Sequence, residues 1–446
     1  MINFNNTNRE TNTRYLDSNY ADAPSLKNEY GSLNSLLKKV LVEGFNVKTT
    51  ISLEHDIESK IATLQLPEGH GFIFNQVVEL SGALEENFNG VFRVLEVRGN
   101  ALKLQIPNES VHTVATTETT LSIKLAPLGF DLAYENIEEG VVCFKNKSLK
   151  SPGILKVIDK LPPNGYASNW AKYGRVVMGQ QIDDLGEFIN NNKAPFWPDN
   201  PEVEKVGNGV QGAGGVHGFA KWDYSIYPGN YDTIDTYAAN GTFPTDWRII
   251  GDDKTFYLMI RPMGKNRYSY NILGFGNFVP ENPDETTNIC LQAKDGSTAS
   301  NSTTDYNFAR TRNNFGLLDM PYTGFLFSNN YGKTSLISDY GRYRCAGLLL
   351  STSDYNRPWR SGGVKSINPV TGLWNVSKLY IRDSDSNLRG YHRGIKIFYG
   401  NSRMSDGSTS LDGDLVLNVQ CPFPGGTSTY EFQPLLFSLR DWEHIE

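Results

Sequence analysis

The chain has 446 residues, and its 42 Lys and Arg against 49 Asp and Glu give a formal net charge of −7. This negative balance argues against a nucleic-acid binder, which must neutralise many phosphates. No apolar run approaches the roughly 18 residues that a membrane span requires, and the first residues lack the basic and apolar regions of a signal peptide. We therefore expect no membrane span and no secretion signal, with synthesis in the cytoplasm.

The composition favours β-structure with many tight turns. The sequence contains 42 Gly, 42 Asn, 23 Tyr and 23 Phe. Gly and Asn supply the positive φ angles of turns, whereas Tyr and Phe favour pleated, half-buried surfaces. The four cysteines are too widely spaced to indicate a disulfide framework or a zinc site. The predicted fold class is mainly β.

Residues 1–25 show no hydrophobic period and contain few aliphatic side chains. Such a segment cannot by itself bury enough surface to offset the entropy of ordering it. We predict an extended docking arm that contacts a neighbouring chain in preference to its own. Packing on its own chain is the alternative.

One amphipathic helix is predicted within residues 26–46. Ser32 is its expected N-cap and Gly44 its expected end. The apolar positions follow the spacing of one helix face: Leu33, Leu36, Leu37, Val40 and Leu41.

From residue 47 the hydrophobic period changes to two, which indicates strands. A tight turn is expected at Arg98-Gly99-Asn100. About six short strands within residues 47–125 predict a small β-sandwich or barrel. The expected strands are 47–53, 62–66, 76–80, 90–97, 101–106 and 120–125.

Residues 126–446 are predicted to form a large antiparallel β-sandwich, since no stretch within them resembles a linker. All seven Trp lie at or after residue 170, which indicates a core different from that of the preceding unit. A hairpin is expected from strands at 255–261 and 268–275. The other expected strands are 345–351, 378–382, 394–399, 414–419 and 435–439.

No arrangement of catalytic residues stands out. The six His are scattered, and the adjacent acids Asp183-Asp184 and Asp252-Asp253 are poor candidates for a glycosidase pair. Neighbouring residues on a strand point to opposite faces, and residues 251–254 have the composition of a turn. We therefore predict no enzyme activity, no catalytic residues, no cofactor and no metal site.

The most suggestive stretch is residues 222–247, with seven aromatic residues, four Asp and no Lys or Arg. Such a composition suits a subunit interface, the edge of a core, or a glycan site in which rings stack on sugar faces. An Arg-flanked Trp in residues 357–363 has the same alternatives. The candidate interface or glycan contacts are Trp222, Tyr224, Tyr227, Tyr231 and Trp359.

Several short motifs, in order along most of the chain, resemble a family of tailed-bacteriophage virion proteins encoded among tail and baseplate genes. Phe130 stands where the family usually has Trp, and residues 295–314 form a longer polar insertion. The motifs include Gly31-Ser32-Leu33, Val42 to Asn46, Gly69-His70-Gly71-Phe72, Phe88-Asn89-Gly90, Pro127 to Phe130, Gly251 to Leu258, Leu273 to Gly276, Leu388-Arg389-Gly390 and Phe437 to Trp442.

The resemblance implies a structural subunit of a virion, located in the tail baseplate or tail tip. Its expected partners are other tail and baseplate proteins and further copies of itself in cyclic symmetry. A receptor-binding tail protein that contacts a host surface glycan is the first alternative. A glycan depolymerase is the second, and nothing in the motifs supplies catalytic residues for it.

Overall fold

The computed structural model describes part of the chain, and all structural statements below concern that part. The described residues are 12–106, 113–114, 120–161, 172–189, 220–224, 244–260, 271–281, 287–291, 294–295, 324–328, 342–346, 376–383, 388–398, 407–411, 414–422, 432–439 and 442. Within these ranges the protein is mainly β, which confirms the predicted fold class, and every paired strand runs antiparallel to its neighbours.

The helix α1 (Ser32–Lys38) continues as a π-helical turn, Lys39–Glu43, and is shorter than the predicted range 26–46. Gly44 ends it as expected, because its φ of 77° is readily adopted by glycine. The N-cap, however, is Gly31, and the Ser32 hydroxyl instead accepts a hydrogen bond from the Lys27 N–H at 2.7 Å. The apolar face of the helix is buried as predicted.

Residues 45–125 supply all the strands of a seven-stranded sheet, ordered β2-β8-β5-β6-β7-β4-β3. The long strand β6 pairs with β5 through its first half and with β7 through its second half, around an irregularity after Val94. Strand β6 therefore joins the group β2, β8 and β5 to the group β7, β4 and β3. The strands up to this point are β1 (Arg14–Asp17), β2 (Phe45–Thr49), β3 (Ser52–Asp56), β4 (Ile61–Gln65), β5 (Val77–Ser81), β6 (Gly90–Arg98), β7 (Ala101–Gln105) and β8 (Ser122–Leu125).

A six-stranded sheet follows, in the order β19-β13-β12-β11-β10-β9, in which the edge strand β19 is Lys294–Asp295. All described positions of β11 and β12 are buried, so these strands lack the polar alternation that would have revealed them in the sequence. The new strands are β9 (Asp131–Asn136), β10 (Val141–Lys145), β11 (Ile154–Ile158), β12 (Tyr173–Gly179) and β13 (Ala220–Asp223).

Strand β1 and the strands that follow β13 form a thirteen-stranded sheet. Strand β19 is the exception, because it belongs to the six-stranded sheet. The order of the thirteen-stranded sheet is β1-β14-β15-β16-β18-β20-β21-β22-β23-β26-β25-β24, with β17 on β23. The strands are β14 (Trp247–Gly251), β15 (Thr255–Ile260), β16 (Asn271–Gly276), β17 (Val279–Pro280), β18 (Thr287–Leu291), β19 (Lys294–Asp295), β20 (Gly324–Ser328), β21 (Arg342–Ala346), β22 (Val376–Asp383), β23 (Leu388–Phe398), β24 (Gly407–Leu411), β25 (Asp414–Pro422) and β26 (Phe432–Ser438).

A continuous cluster of buried apolar side chains joins α1 to all three sheets. Between the six-stranded and the thirteen-stranded sheet, the Trp222 ring of β13 meets the Phe256 ring of β15 edge to face, with centroids 6.3 Å apart. Phe130, which precedes β9, packs edge to face on the same Phe256 at 5.6 Å. These three rings therefore belong to one buried interior that the two sheets share.

The described part of the predicted arm packs on its own chain. Strand β1 pairs in antiparallel register with β14, and Leu26 bridges Thr245. Arg14–Asp17 thus show the alternative, packing on their own chain, because an edge strand of the same molecule satisfies their backbone groups. Contact of the arm with a neighbouring chain stays a prediction. Residues 1–11 lie outside the described part.

Replacing Leu16 with Ala is expected to lower the free energy of unfolding by about 2–5 kcal/mol, because this side chain is buried in the shared core. Denaturant unfolding of the full chain measures the change. Val47→Ala is the matched control, since Val47 is mostly exposed, and its effect should stay within about 0.5 kcal/mol. An unchanged stability in Leu16→Ala would show that residues 12–25 are held elsewhere than on their own chain.

Candidate functional site

The described ends of the aromatic stretch 222–247 hold the N-terminal part of the same chain. We call this region the N-terminal junction. It consists of Asp159, Tyr224, Thr245 and Trp247, packed against residues 16–34. All four of these side chains are buried. Two features that the sequence presented separately, the polar arm and the aromatic stretch, therefore meet in one place.

Trp247 and Thr245 hold residues 18–26 mainly through backbone groups. The Trp247 indole N–H donates to the Pro24 carbonyl at 2.9 Å, and the Thr245 N–H donates to the Leu26 carbonyl at 2.7 Å. The Ser18 N–H donates to the Trp247 carbonyl at 2.9 Å. In each of these three bonds the arm contributes a backbone group, so they do not depend on which side chains the arm carries. The buried side chains of Leu16 and Leu26 add apolar contacts to them.

The Thr245 hydroxyl donates to the Tyr224 carbonyl at 3.0 Å. This bond joins the end of β13 to the residues that lead into β14. The segment between them, residues 225–243, thus begins and ends at neighbouring buried anchors. The two ends of the aromatic stretch act as one unit against the N-terminal segment.

Asp159 lies at the start of α1 and accepts hydrogen bonds from its first N–H groups, the role that was expected of Ser32. It follows β11 and is 2% exposed. One of its carboxylate oxygens accepts from the Leu33 N–H at 2.9 Å and from the Asn34 N–H at 3.3 Å, at the start of α1. An acceptor in this position satisfies N–H groups that a helix leaves without internal partners.

The second Asp159 oxygen accepts from the Tyr224 hydroxyl at 2.7 Å. Burial raises the pKa of Asp159 to about 6, and the hydrogen bonds that it accepts from Tyr224, Asn34, Leu33 and Gly31 oppose this rise. Burial and the nearby Asp159 charge also raise the pKa of Tyr224, so its hydroxyl keeps its proton. The arrangement can take up a proton on the carboxylate close to neutral pH.

Trp222 and Tyr224 belong to the protein core, one of the three roles considered for the aromatic stretch. Both are fully buried within their own chain, Trp222 against Phe256 and Tyr224 against Asp159. Their rings are therefore covered before any partner or glycan could reach them. The other predicted contacts, Tyr227, Tyr231 and Trp359, lie outside the described residues.

The adjacent acids considered for catalysis have structural partners. One oxygen of exposed Asp183 accepts from the Leu185 and Glu187 N–H groups, each at 2.9 Å, within a turn. Asp252 forms a buried ion pair with Arg393 at 2.7 Å. Among the described residues, no group of three or more His, Cys, Asp or Glu side chains is arranged to hold a metal ion.

Sequence reasoning missed Asp159. One signal was available, because a carboxylate directly follows the apolar run of β11. A charged residue at the end of a fully buried strand requires partners. The partners themselves, Leu33, Asn34 and Tyr224, lie 126, 125 and 65 positions away, so no local pattern identifies them.

None of the described helices has the length and apolar character needed to span a bilayer. Comparison with protein-family models, with characterised proteins and with solved structures finds no match to this chain.

Proposed function

We propose that this chain is a structural subunit of a tailed-bacteriophage virion. It would be located in the tail, at the baseplate or tail tip, and would hold neighbouring tail proteins and further copies of itself through protein–protein contacts. The proposal starts from the ordered series of motifs described above, and the positions of those motifs in the fold support it.

The observation that carries the proposal is that the motif residues serve the framework. Gly31, Ser32 and Leu33 start the helix, and Gly44 ends it. Residues 251–258 form the turn and strand that pair β14 with β15. A family that shares such positions shares a scaffold, which is what a subunit built for assembly requires.

Gly390 illustrates this role. It lies in β23 with φ of 144°, and a Cβ atom there would overlap the carbonyl oxygen of Val279 in the paired strand β17. Only glycine allows the two backbones to approach so closely. The motif Leu388-Arg389-Gly390 therefore contributes a packing requirement.

Ion pairs with at least one buried partner also serve the framework. Asp252 is paired with Arg393, Asp17 with Arg248 at 3.1 Å, and Lys156 with Glu187 at 2.9 Å. Each pair links parts of the chain that are distant in sequence. These uses favour a scaffold over a glycan depolymerase, which would need free carboxylates facing a substrate.

A tagged full-length chain tests the proposal in the phage whose genome encodes it. We expect the chain in purified particles by mass spectrometry, density for it at the tail end by electron microscopy, and tail-defective particles when the gene is interrupted. Absence from particles would overturn the proposal. Intact particles that fail only to adsorb to cells would replace it with the receptor-binding alternative.

A further inference from the structure

We propose that Asp159 and Tyr224 form a proton-controlled hydrogen-bond switch that sets how firmly the chain holds residues 26–34. The inference concerns the N-terminal junction and does not depend on the proposed function. It rests on one hydroxyl group that lies between two acceptors inside the protein.

The Tyr224 hydroxyl oxygen lies 2.7 Å from a carboxylate oxygen of Asp159 and 3.0 Å from the carbonyl oxygen of Glu29. Both distances are those of hydrogen bonds. A phenol carries a single proton, so Tyr224 donates to one of these acceptors at a time. The state of Asp159 decides which one.

When Asp159 is ionised, its oxygen can only accept, and the Tyr224 proton points to it. The Glu29 carbonyl then keeps only the Ser32 N–H, at 3.2 Å, of the two donors near it. When Asp159 takes a proton from solvent, its new O–H donates to the Tyr224 oxygen. The Tyr224 proton rotates to Glu29, and a continuous chain of hydrogen bonds links Asp159, Tyr224 and Glu29.

The charged and titratable surroundings leave Asp159 as the group that responds. Glu29 and Tyr30 approach from the N-terminal segment, and Tyr224 from the end of β13. The Lys172 amine lies over the Tyr30 ring, 5.4 Å from its centroid, and Lys160 pairs with Glu139 at 3.1 Å. Within the described part of the chain, no Lys or Arg forms an ion pair with Asp159.

The direction of the pH dependence follows from burial. The pKa of Asp159 in the folded protein is raised from 3.8 to about 6, so the folded junction binds the proton more tightly than an opened one does. Its contribution to stability is complete below pH 3.8 and is lost as the pH rises through about 6. The junction therefore holds residues 26–34 more firmly at mildly acidic pH than at neutral pH.

Hydrogen–deuterium exchange of the full-length protein, read by mass spectrometry on peptides covering residues 26–34, tests the switch. After correction for the intrinsic pH dependence of exchange, opening should be about fivefold less frequent at about pH 5 than at about pH 7.5, the factor expected for one neutral hydrogen bond. Carbon-13 labelling of aspartate should show the Asp159 carboxyl titrating near 6.

Three variants separate the switch from a merely structural role. Asp159→Asn cannot ionise and can donate to Tyr224 through its amide, so its exchange should match the acidic wild type at both pH values. Tyr224→Phe removes a donor to Asp159, so Asp159 should titrate at higher pH, and the pH at which the exchange of residues 26–34 changes should rise with it. The control Asp184→Asn changes an exposed aspartate, so exchange of residues 26–34 should differ between the two pH values as it does in the wild type.

The proposal would be overturned if exchange of residues 26–34 in Asp159→Asn still differed between about pH 5 and about pH 7.5. It would also be overturned if Asp159 of the wild type stayed ionised at about pH 5. Should Asp159→Asn fail to fold, the wild-type titration and the Tyr224→Phe exchange still decide the question. If Tyr224→Phe left the pKa of Asp159 unchanged, the proposed coupling between Asp159 and Tyr224 would also be ruled out.

Discussion

Replacing Asp252 with Asn is expected to lower the free energy of unfolding by about 3–5 kcal/mol, because it leaves a buried guanidinium without its counter-charge. The side chains of Arg393 and Asp252 are 1% and 6% exposed. Their two contacts, at 2.7 and 3.1 Å, join two guanidinium nitrogens to two carboxylate oxygens. Loss of one partner of such a pair costs far more than loss of a surface ion pair.

The position of this ion pair increases its importance. Asp252 also accepts from the N–H groups of Lys254 and Thr255 at 2.9 Å, which shapes the turn between β14 and β15. Arg393 lies in β23, with its guanidinium carbon 5.5 Å from the centre of the Trp442 ring. The pair thus ties the turn to a distant strand and to the last described residue.

Asp253→Asn is the matched control, one residue away. Asp253 is half-buried, and burial together with the charge of Asp252 raises its pKa. Neutralising it should therefore change the free energy of unfolding by no more than about 0.5 kcal/mol. Denaturant unfolding at neutral pH measures both variants, and equal losses in the two would contradict a special role for the Asp252–Arg393 pair.

Trp222→Ala is expected to lower the free energy of unfolding of the isolated chain by about 3–5 kcal/mol, since it opens a cavity between the six-stranded and the thirteen-stranded sheet. Trp222 is fully buried, lies opposite Gly174 of β12, and meets Phe256 edge to face. The neighbouring glycine has no side chain with which to fill the space. Partial collapse around the cavity would place the value at the lower end of this range.

Leu149→Ala provides the comparison, because Leu149 is 99% exposed and its truncation should be nearly neutral. Thermal and denaturant unfolding of the isolated chain measure both. If Trp222→Ala were as stable as the wild type yet failed to bind partner proteins that the wild type binds, the ring would be an interface anchor and its burial in the core would be refuted.

The strands of residues 47–125 were accessible from sequence to a large extent. The prediction for 90–97 corresponds to β6 (Gly90–Arg98), and that for 101–106 to β7 (Ala101–Gln105). In β7 buried and half-exposed residues alternate, which is a local signal because one face of the strand contacts the core, whereas β6 buries three consecutive residues, 92–94. The single predicted strand 47–53 is instead two strands, separated at Thr50 and Ile51.

Several turns were predictable for the same local reason. The segment 251–254 connects β14 to β15, and Gly99-Asn100 lies between the paired residues Arg98 and Ala101. Glycine and aspartate adopt the required backbone conformations and satisfy the turn N–H groups by themselves. No distant contact is needed to identify such a turn.

Local sequence patterns are enough to identify a mainly β protein and an amphipathic helix that ends at Gly44, because periodicity and turn chemistry act over a few residues. The pairing of β1 with β14, the strands β11 and β12 and the capping of α1 by Asp159 are visible in the folded chain and not in these patterns. Hydrogen bonds between groups more than 100 positions apart, and burial on both faces of a sheet, leave no periodic trace in the sequence. For this reason the polar arm and the aromatic stretch appeared to be surfaces for other chains, whereas their described parts hold each other.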